Sequence, residues 1–220
     1  MNARYSGIGM TSQRTRLRMI DRLRTQGIVD EVVLSAMSGI PRHVFVEEAL
    51  AIRAYEDTPL PINYGQTMSS PWIVARMSEL LRAGKRLTNV LEIGTGCGYQ
   101  TAVLAQLADK VYSIERIGPL LTRTRIRLHE MQIRNIYLRH ADGLNGMAEF
   151  GPFDGIIMTA VTTHVPSVLL EQLAVGGTMV FPKGNQIQNL CLIKRDAKEF
   201  TETVLEEVNF VPILSGVVKK

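Results

Sequence analysis

The sequence has few of the residues that stabilise small secreted or metal-dependent domains. Its 220 residues include only two cysteines, Cys97 and Cys191, which are too far apart to indicate a disulfide framework or a zinc site. The four histidines share no metal-ligand spacing, so we expect them at the surface or in loops and predict no metal site. This sparse use of cysteine is typical of a reducing compartment, and we expect a cytoplasmic location.

Long apolar runs are also missing. None approaches the roughly 18 residues that indicate a membrane-spanning helix, and residues 1–10 lack the apolar segment of a signal peptide. The net charge of +4 permits a polyanionic partner without requiring one. We therefore expect no membrane partner and no nucleic-acid partner. The sequence does not fix the oligomeric state, and our expectation is a monomer.

The chain does contain enough apolar material for one substantial core. Hydrophobic residues make up 45% of it, and its length is within the range of a single domain. We predict an N-terminal helical segment with a substrate and cofactor loop in residues 1–86, and an α/β core in residues 87–220. Together these segments are expected to form one compact domain, with the first ten residues as a mobile tail.

A glycine-rich stretch at residues 90–99 reads VLEIGTGCGY and follows the pattern strand, tight turn, helix. Gly94, Gly96 and Gly98 stand at alternate positions, and the lack of a Cβ lets a ligand approach the main chain closely. The helix that follows offers N–H groups without intrahelical partners. This arrangement is typical of sites for anionic or adenosine-bearing cofactors.

A second β-type run, residues 111–115, supports a cofactor site. It ends in Glu115, about 20 residues beyond the first glycine, which is the spacing of an acid that binds ribose hydroxyls. The glycine pattern lacks the later glycine of a dinucleotide fingerprint, and Glu92 stands just before Gly94 with one apolar residue between them. These features favour S-adenosylmethionine over a nicotinamide cofactor.

Strands and helices alternate from Thr88 onward, which predicts right-handed βαβ units and a mainly parallel sheet. We predict strands at residues 90–93, 111–115, 135–139, 153–158, 178–182, 190–195 and 201–210, the last two as an antiparallel pair. We predict helices at residues 31–37, 47–55, 71–83, 100–109, 118–131 and 166–173. Gly176-Gly177 is predicted as the turn into the fifth strand.

The front of the chain adds a helix from Thr11 to the residue before Gly27, with arginines interspersed among its apolar positions. We interpret its basic face as the solvated side of a packing helix. Residues 56–71 are rich in proline, glycine and small polar residues and form too long a segment for a simple turn. This segment is either a surface connector or a loop with substrate contacts.

Several polar and glycine residues fall where predicted parallel strands end: Glu92, Gly94, Glu115, Asp142 and Gly143. Ligands of such sheets bind beyond the carboxyl ends of the strands. The convergence of these residues predicts a cofactor site at that edge.

Four blocks of the sequence resemble the protein-L-isoaspartate O-methyltransferases. They are AYED with PLP at residues 54–61, GQTMSSP at 65–71, LEIGTGCGY at 91–99 and GPFD at 151–154, and FVP at 210–212 adds to them. Many S-adenosylmethionine-dependent enzymes share the glycine block, whereas the QTMS block discriminates this family. The resemblance extends from Thr11 to near the carboxyl end. It implies an α/β, Rossmann-like methyltransferase fold with a mainly parallel seven-stranded sheet, helices on both faces and an N-terminal helical extension.

The resemblance also implies a set of cofactor-binding residues. They are Gln66, Thr67, Met68, Glu92, Gly94, Thr95, Gly96, Gly98, Glu115, Asp142 and Gly143. Within this set, Glu92 and Gly94 are expected to meet the methionine part of S-adenosylmethionine, Glu115 the ribose hydroxyls, and Asp142 and Gly143 the adenine.

The implied activity is methylation of the α-carboxylate of L-isoaspartyl residues in damaged proteins and peptides, with S-adenosylhomocysteine as the other product. The ester then cyclises to a succinimide, whose hydrolysis returns some normal aspartate. Ser69 matches the active-site serine of the family. An ionised carboxylate needs no general base, so we expect Ser69 to orient the substrate rather than to act as a nucleophile. Acceptance of D-aspartyl residues stays open.

Two other functions remain open from the sequence. One is a methyltransferase acting on RNA or a small molecule, although residues 158–161 lack the Asn or Asp, two prolines and aromatic residue often seen in base N-methyltransferases. The other is a non-catalytic module that retains the cofactor fold, which the intact run of cofactor residues argues against.

Overall fold

The computed structural model describes residues 7–219. Of the predicted N-terminal tail, residues 1–6 lie outside the described residues. At the end of this tail, Gly9–Thr11 forms a short 3-10 helix just before the first long helix, and the mobility of the tail stays a prediction. Within the described part of the chain, no helix is both long enough and apolar enough to cross a membrane.

Two helices begin the described chain, and each has a side-chain cap at its N-terminus. Helix α1, Gln13–Thr25, is capped by Ser12, and α2, Glu31–Gly39, is capped by Asp30, whose carboxylate accepts from the Val32 and Val33 amides. Their apolar faces pack in one core cluster. The helix predicted at residues 47–55 is shorter and of the 3-10 type: it spans Glu48–Arg53 and is preceded by another 3-10 helix at Arg42–Phe45.

The polar segment predicted at residues 56–71 contains a small antiparallel hairpin. Its strands are β1, Leu60–Pro61, and β2, Thr67–Met68. Helix α3, Pro71–Arg82, then starts with proline in its first turn, and Ser70 rather than Ser69 caps it. Because strands of two residues show no periodicity, the sequence pattern could not reveal this hairpin.

The central sheet has seven strands, as predicted. They are β3 Leu87–Ile93, β4 Ala108–Glu115, β5 Ile136–His140, β6 Phe153–Met158, β7 Leu173–Gly184, β8 Gln188–Arg195 and β9 Phe200–Glu207. The order is β5-β4-β3-β6-β7-β8-β9, in which the first five strands are parallel and the last two pair antiparallel. Successive strands are therefore added first on one side of β3 and then on the other. This reversal of strand order leaves a crevice at the carboxyl ends of the central strands.

Helices cover both faces of the sheet. The remaining ones are α4 Tyr99–Leu107, α5 Gly118–Glu130 and α6 Ser167–Glu171. Alternate strand residues enter different cores: Val90 packs with α3 and α4, whereas its neighbour Leu91 packs with α6. Burial on both sides explains why β3, β4 and β6 read as near-continuous apolar runs.

One predicted turn lies inside a strand. Gly176-Gly177 falls within β7, which is longer than the predicted strand at residues 178–182. Gly176 has a φ of 82°, and the β6–β7 register shifts between the pairs Phe153–Leu173 and Gly155–Thr178. The glycines therefore mark an irregularity of the strand rather than its beginning.

After β9 the chain returns across the carboxyl ends of the parallel strands. We call residues 210–218 the C-terminal strap. Its backbone pairs with Val161 near Pro212, and the Val218 amide donates to the Arg116 carbonyl at 2.7 Å. The predicted last strand at residues 201–210 ends at Glu207, because the strap leaves the sheet edge for this position.

Candidate active site

A cleft opens at the carboxyl ends of β3 and β4, where the sequence predicts the cofactor site. Its walls come from the β1–β2 hairpin, the glycine-rich loop, the turn after β4, the ends of β5 and β6, and the C-terminal strap. The lining residues are Ile62, Gln66, Thr67, Met68, Ser69, Val74, Ile93, Gly94, Thr95, Gly96, Cys97, Tyr99, Gln100, Ile114, Glu115, Arg116, Ile117, Gly143, Thr159, Ala160, Val211, Pro212, Ile213 and Leu214.

The glycine-rich loop needs its glycines for close packing as well as for backbone conformation. Gly94 and Gly98 have φ values of 99° and 89°. A Cβ on Gly94 would lie 2.3 Å from the Thr159 hydroxyl oxygen, and one on Gly98 would lie 2.6 Å from a methyl carbon of Thr124. The Gly94 amide donates to the Ile114 carbonyl at 2.9 Å, which holds the loop against the end of β4.

Helix α4 begins at the loop and points its first turn at the cleft. Its N-cap, Gly98, provides no side-chain cap, and Tyr99 and Gln100 of the first turn line the cleft. The first N–H groups of an α-helix have no intrahelical acceptors and carry the positive end of the helix dipole. This end of the cleft is therefore suited to an anionic group such as a carboxylate.

Glu115 joins the glycine-rich loop to the turn that follows β4. One carboxylate oxygen accepts from the Gly96 amide at 2.8 Å, and the other accepts from the Ile117 amide at 2.9 Å. The side chain is buried and lines the cleft. Each oxygen keeps a further lone pair, so the carboxylate has capacity for hydroxyl donors from a ligand.

Glu92 lies behind the lining of the cleft. It is fully buried, and its Oε2 accepts from the hydroxyls of Ser113 and Thr101, each at 2.5 Å. Among the described residues, nothing hydrogen-bonds its Oε1. Burial raises the pKa of Glu92 to about 8. A further hydroxyl contact of 2.7 Å between Ser113 and Thr95 connects this carboxyl to a residue of the cleft.

Asp142 also lies outside the cleft lining, whereas its neighbour Gly143 forms part of the wall. The Asp142 carboxylate accepts from the Leu144 amide at 3.0 Å and from the Gly216 amide of the strap at 2.6 Å. Gly143 has no room for a side chain, because a Cβ there would lie 2.5 Å from Ile93. Asp142 therefore anchors the strap beside the position predicted for the adenine.

Ser69 reaches the cleft from the end of the β1–β2 hairpin, next to Gln66, Thr67 and Met68. Because Ser70 caps α3, the Ser69 hydroxyl is not needed for that purpose. Its backbone carbonyl accepts from the buried Arg42 guanidinium at 2.5 Å. The predicted loop and the predicted cofactor residues thus share one cleft.

The structure brings together most, not all, of the predicted site residues. Gln66, Thr67, Met68, Ser69, Gly94, Thr95, Gly96, Glu115 and Gly143 line the cleft, whereas Glu92, Gly98 and Asp142 support it from behind. Sequence reasoning missed Thr159, Ala160 and the strap residues 211–214 as lining residues. The FVP block at residues 210–212 was a signal, but its position across the cleft was not predictable from a strand pattern.

One histidine prediction is wrong. His43 is buried in the 3-10 helix Arg42–Phe45, with its Nδ1 2.8 Å from the Tyr55 hydroxyl. His140 is exposed and contacts the strap, because its Nε2 lies 3.1 Å from the Val218 carbonyl.

These features define a class. A parallel sheet that grows outward from β3, with a glycine-rich loop after that strand and a carboxylate at the end of β4, is the architecture of the Rossmann-like methyltransferases. The predicted fold is thereby confirmed.

Comparison with known proteins identifies the family within this class. The model of the protein-L-isoaspartate(D-aspartate) O-methyltransferases matches residues 14–218, and the chain belongs to this family. It is 70% identical to the protein-L-isoaspartate O-methyltransferase of Nitrosomonas eutropha and 68% identical to that of Nitrosomonas europaea, over the full length of both chains in each case.

Solved structures show the same fold. A protein-L-isoaspartate O-methyltransferase superimposes with a TM-score of 0.81 at 25% identity, covering 92% of this chain and 67% of that chain. A Plasmodium falciparum structure containing S-adenosyl-L-homocysteine superimposes with a TM-score of 0.76 at 24% identity, covering 90% of this chain and 98% of that chain.

Proposed function

We propose that this protein transfers a methyl group from S-adenosylmethionine to the α-carboxylate of L-isoaspartyl residues in damaged proteins and peptides. The observation that carries the proposal is the position of Ser69. The serine that matches the family's active-site serine lies in the same cleft as the glycine-rich loop, with its hydroxyl released from helix capping. D-aspartyl residues are a second acceptor to test.

The hydrogen-bonding groups of the cleft, both donors and acceptors, support the proposed cofactor site. The uncapped start of α4 suits the carboxylate of its methionine part, and the Glu115 carboxylate suits its ribose hydroxyls. Thr95, Gly94 and Gly96 line the same cleft, and Gly143 forms the part of its wall proposed for the adenine. Glu92, Gly98 and Asp142 are proposed to fix these groups rather than to contact the cofactor.

Methyl transfer to a carboxylate needs little acid–base catalysis from the protein. S-adenosylmethionine supplies an electrophilic methyl group bound to a sulfonium, and the acceptor carboxylate is already ionised at neutral pH. The protein's tasks are to orient that carboxylate and to exclude water from it. Ile62, Met68 and Ile213 give the cleft apolar walls for the second task.

Ser69 is proposed to perform the first task. A hydroxyl donates a hydrogen bond to one oxygen of the substrate carboxylate and leaves the other oxygen free to attack. No step of methyl transfer needs a serine nucleophile. The Gln66–Met68 segment would hold the peptide and cofactor on either side of this contact.

We also propose that the protein acts in the cytoplasm as a monomer, without a nucleic-acid partner. Both cysteines are free and buried, as in proteins of reducing compartments. The net charge of +4 is small for a protein that binds a polyanion.

The test is transfer of labelled methyl from S-adenosylmethionine to two peptides that differ only in containing L-isoaspartate or normal aspartate. A D-aspartyl peptide and bulk RNA serve as further acceptors. We expect base-labile label on the isoaspartyl peptide and none on the normal peptide or on RNA. Label on RNA, or on neither L-peptide despite cofactor binding, would refute the proposed substrate.

A further inference from the structure

Arg42 is a buried cation at the back of the cleft wall. Its side chain is fully inaccessible to solvent, and burial lowers its pKa. None of the ion pairs formed within residues 7–219 includes it. The nearby Asp57 carboxylate accepts from the Trp72 amide and from the Gln26 side chain instead. Burying a charge without an ion-pair partner costs free energy, so the hydrogen bonds of the Arg42 guanidinium must offset that cost.

Those hydrogen bonds go to two backbone carbonyls from different segments. The Arg42 Nε donates to the Ala54 carbonyl at 2.7 Å, and its Nη2 donates to the Ser69 carbonyl at 2.5 Å. The planar guanidinium fixes the angle between its donors, which an ammonium cannot do. Arg42 therefore ties the residue that bears the proposed active-site hydroxyl to the segment that follows Glu48–Arg53.

The same guanidinium also contacts a second residue of the cleft lining. Its Cζ is 4.6 Å from the centre of the Tyr99 ring, and Tyr99 is the first residue of α4, directly after the glycine-rich loop. Tyr99 lines the cleft, and burial raises its pKa to about 12. Arg42 thus contacts two parts of the site, the Ser69 backbone and the start of the cofactor helix.

We propose that Arg42 is a positioning residue for methyl transfer. By donating to the Ser69 carbonyl while packing on the Tyr99 ring, its guanidinium sets the distance between the substrate-orienting hydroxyl and the cofactor-binding start of α4. This inference rests on the role proposed for Ser69. It adds a residue that touches neither substrate nor cofactor but determines how they face each other.

Two substitutions test the geometry rather than the charge alone. Arg42→Lys keeps a cation but loses the rigid fork, and Arg42→Gln removes the buried charge and keeps one donor. Arg22→Lys is the matched control, because Arg22 donates to the Tyr55 carbonyl at 2.8 Å in the same region without contacting Ser69. Each variant is measured for kcat and KM with an isoaspartyl peptide, for its S-adenosylmethionine Kd, and for Tm.

We expect Arg42→Lys and Arg42→Gln to lower kcat about tenfold or more, since misplacing a reacting group by about 1 Å can cost up to ~10²-fold. The cofactor Kd should change much less than kcat, because Arg42 packs on the ring of Tyr99 rather than on the backbone N–H groups proposed to bind the cofactor. Arg22→Lys should keep wild-type kcat. In a Ser69→Ala background, the Arg42 substitutions should lower kcat by less than about twofold, because residues acting through one group are not additive.

Several results would overturn the inference. These are an unchanged kcat, an S-adenosylmethionine Kd that rises as much as kcat falls, or effects of Arg42 and Ser69 that multiply in the double variant. Failure of both Arg42 variants to fold, with Arg22→Lys folded, would assign Arg42 a purely structural role. A wild-type kcat for Ser69→Ala would refute the role of Ser69 itself, and methyl transfer by the wild-type protein decides the substrate separately.

Discussion

The Oε2 atom of Glu92 lies 2.5 Å from the Ser113 hydroxyl oxygen, in a region from which solvent is excluded. A second hydroxyl, from Thr101, donates to the same oxygen. Two hydroxyl donors do not compensate for removing a carboxylate from water, so burial raises the pKa of Glu92 to about 8. The carboxyl group is therefore mainly protonated at neutral pH, and the glycine-rich loop is supported from β3 by a neutral acid.

Glu92→Gln should change how stability depends on pH. Because the folded-state pKa of about 8 is above the ordinary value of 4.5, the folded protein holds a proton that the unfolded chain releases. This proton stabilises the fold fully below pH 4.5, and its contribution falls by up to ~1.4 kcal/mol per pH unit as pH rises toward 8. Glutamine has no such proton. Urea unfolding across this range should show the variant gaining stability relative to wild type as pH rises.

Glu207→Gln, on the exposed face of the edge strand β9, is the control for that experiment. Its unfolding free energy should run parallel to that of the wild-type protein. Parallel curves for Glu92→Gln as well would show that Glu92 has no raised pKa in the folded protein.

Ser69→Ala should lower turnover and leave cofactor affinity nearly unchanged. A hydrogen bond to a charged group contributes about 1.5–3 kcal/mol, so kcat should fall by roughly 10- to 100-fold. Steady-state kinetics with an isoaspartyl peptide and a binding titration with S-adenosylmethionine separate the two effects. Equal losses of turnover and affinity would contradict an orienting role.

Ser70→Ala provides the neighbouring comparison. The Ser70 hydroxyl accepts from the Ile73 amide at 3.4 Å and caps α3, so its loss should lower stability by about 1 kcal/mol. Turnover below the unfolding temperature should stay near the wild-type value. If a stable Ser70→Ala variant showed the turnover defect expected of Ser69→Ala, the orienting role would belong to Ser70 rather than to Ser69.

Glu115→Gln should weaken cofactor binding. The neutral amide keeps one oxygen for the Gly96 or Ile117 amide but loses the charge that strengthens bonds to ribose hydroxyls. Because a hydrogen bond to a charged group contributes about 1.5–3 kcal/mol, the S-adenosylmethionine Kd should rise roughly 10- to 100-fold. Calorimetric titration measures this change directly, and an unaltered Kd would remove Glu115 from the proposed ribose site.

Gly94→Ala should be far more damaging than Gly84→Ala, although both glycines have positive φ. At Gly84 a Cβ meets no atom within 4 Å, so only backbone strain of about 1–2 kcal/mol applies. At Gly94 the Cβ would lie 2.3 Å from the Thr159 hydroxyl oxygen, in the wall of the cleft. Thermal unfolding and cofactor titration of the pair should show a larger loss of both stability and affinity for Gly94→Ala. Equal effects would mean that the loop has room to adapt.

Much of the fold could be predicted because its strands and helices carry strong local signals. The predicted helix at residues 118–131 corresponds to Gly118–Glu130, and the strand at 153–158 was predicted at its observed bounds. The β1–β2 hairpin could not be predicted because its two-residue strands show no periodicity. The C-terminal strap could not be predicted because its position depends on contacts with distant segments. The division of the chain at residue 86 stays a prediction.

The candidate site could be placed from sequence but not resolved in detail. Parallel strands bring their carboxyl ends together, which correctly located Gly94, Glu115 and Gly143 in one cleft. Strand position does not say whether a side chain at that edge faces a ligand or the interior. Glu92 and Asp142 face neighbouring protein groups, which only the packing of α4 and the strap reveals.

Because the C-terminal strap forms one wall of the cleft, the cleft is complete only after the strap has folded into place. Its walls join residues as distant in the chain as Ile62 and Leu214, and contacts of such long separation form slowly because a large loop must close first. During refolding, secondary structure can therefore return before a ligand can be held. Ligand binding then reports that the cleft is complete, and a ligand that binds only the completed cleft stabilises it by mass action.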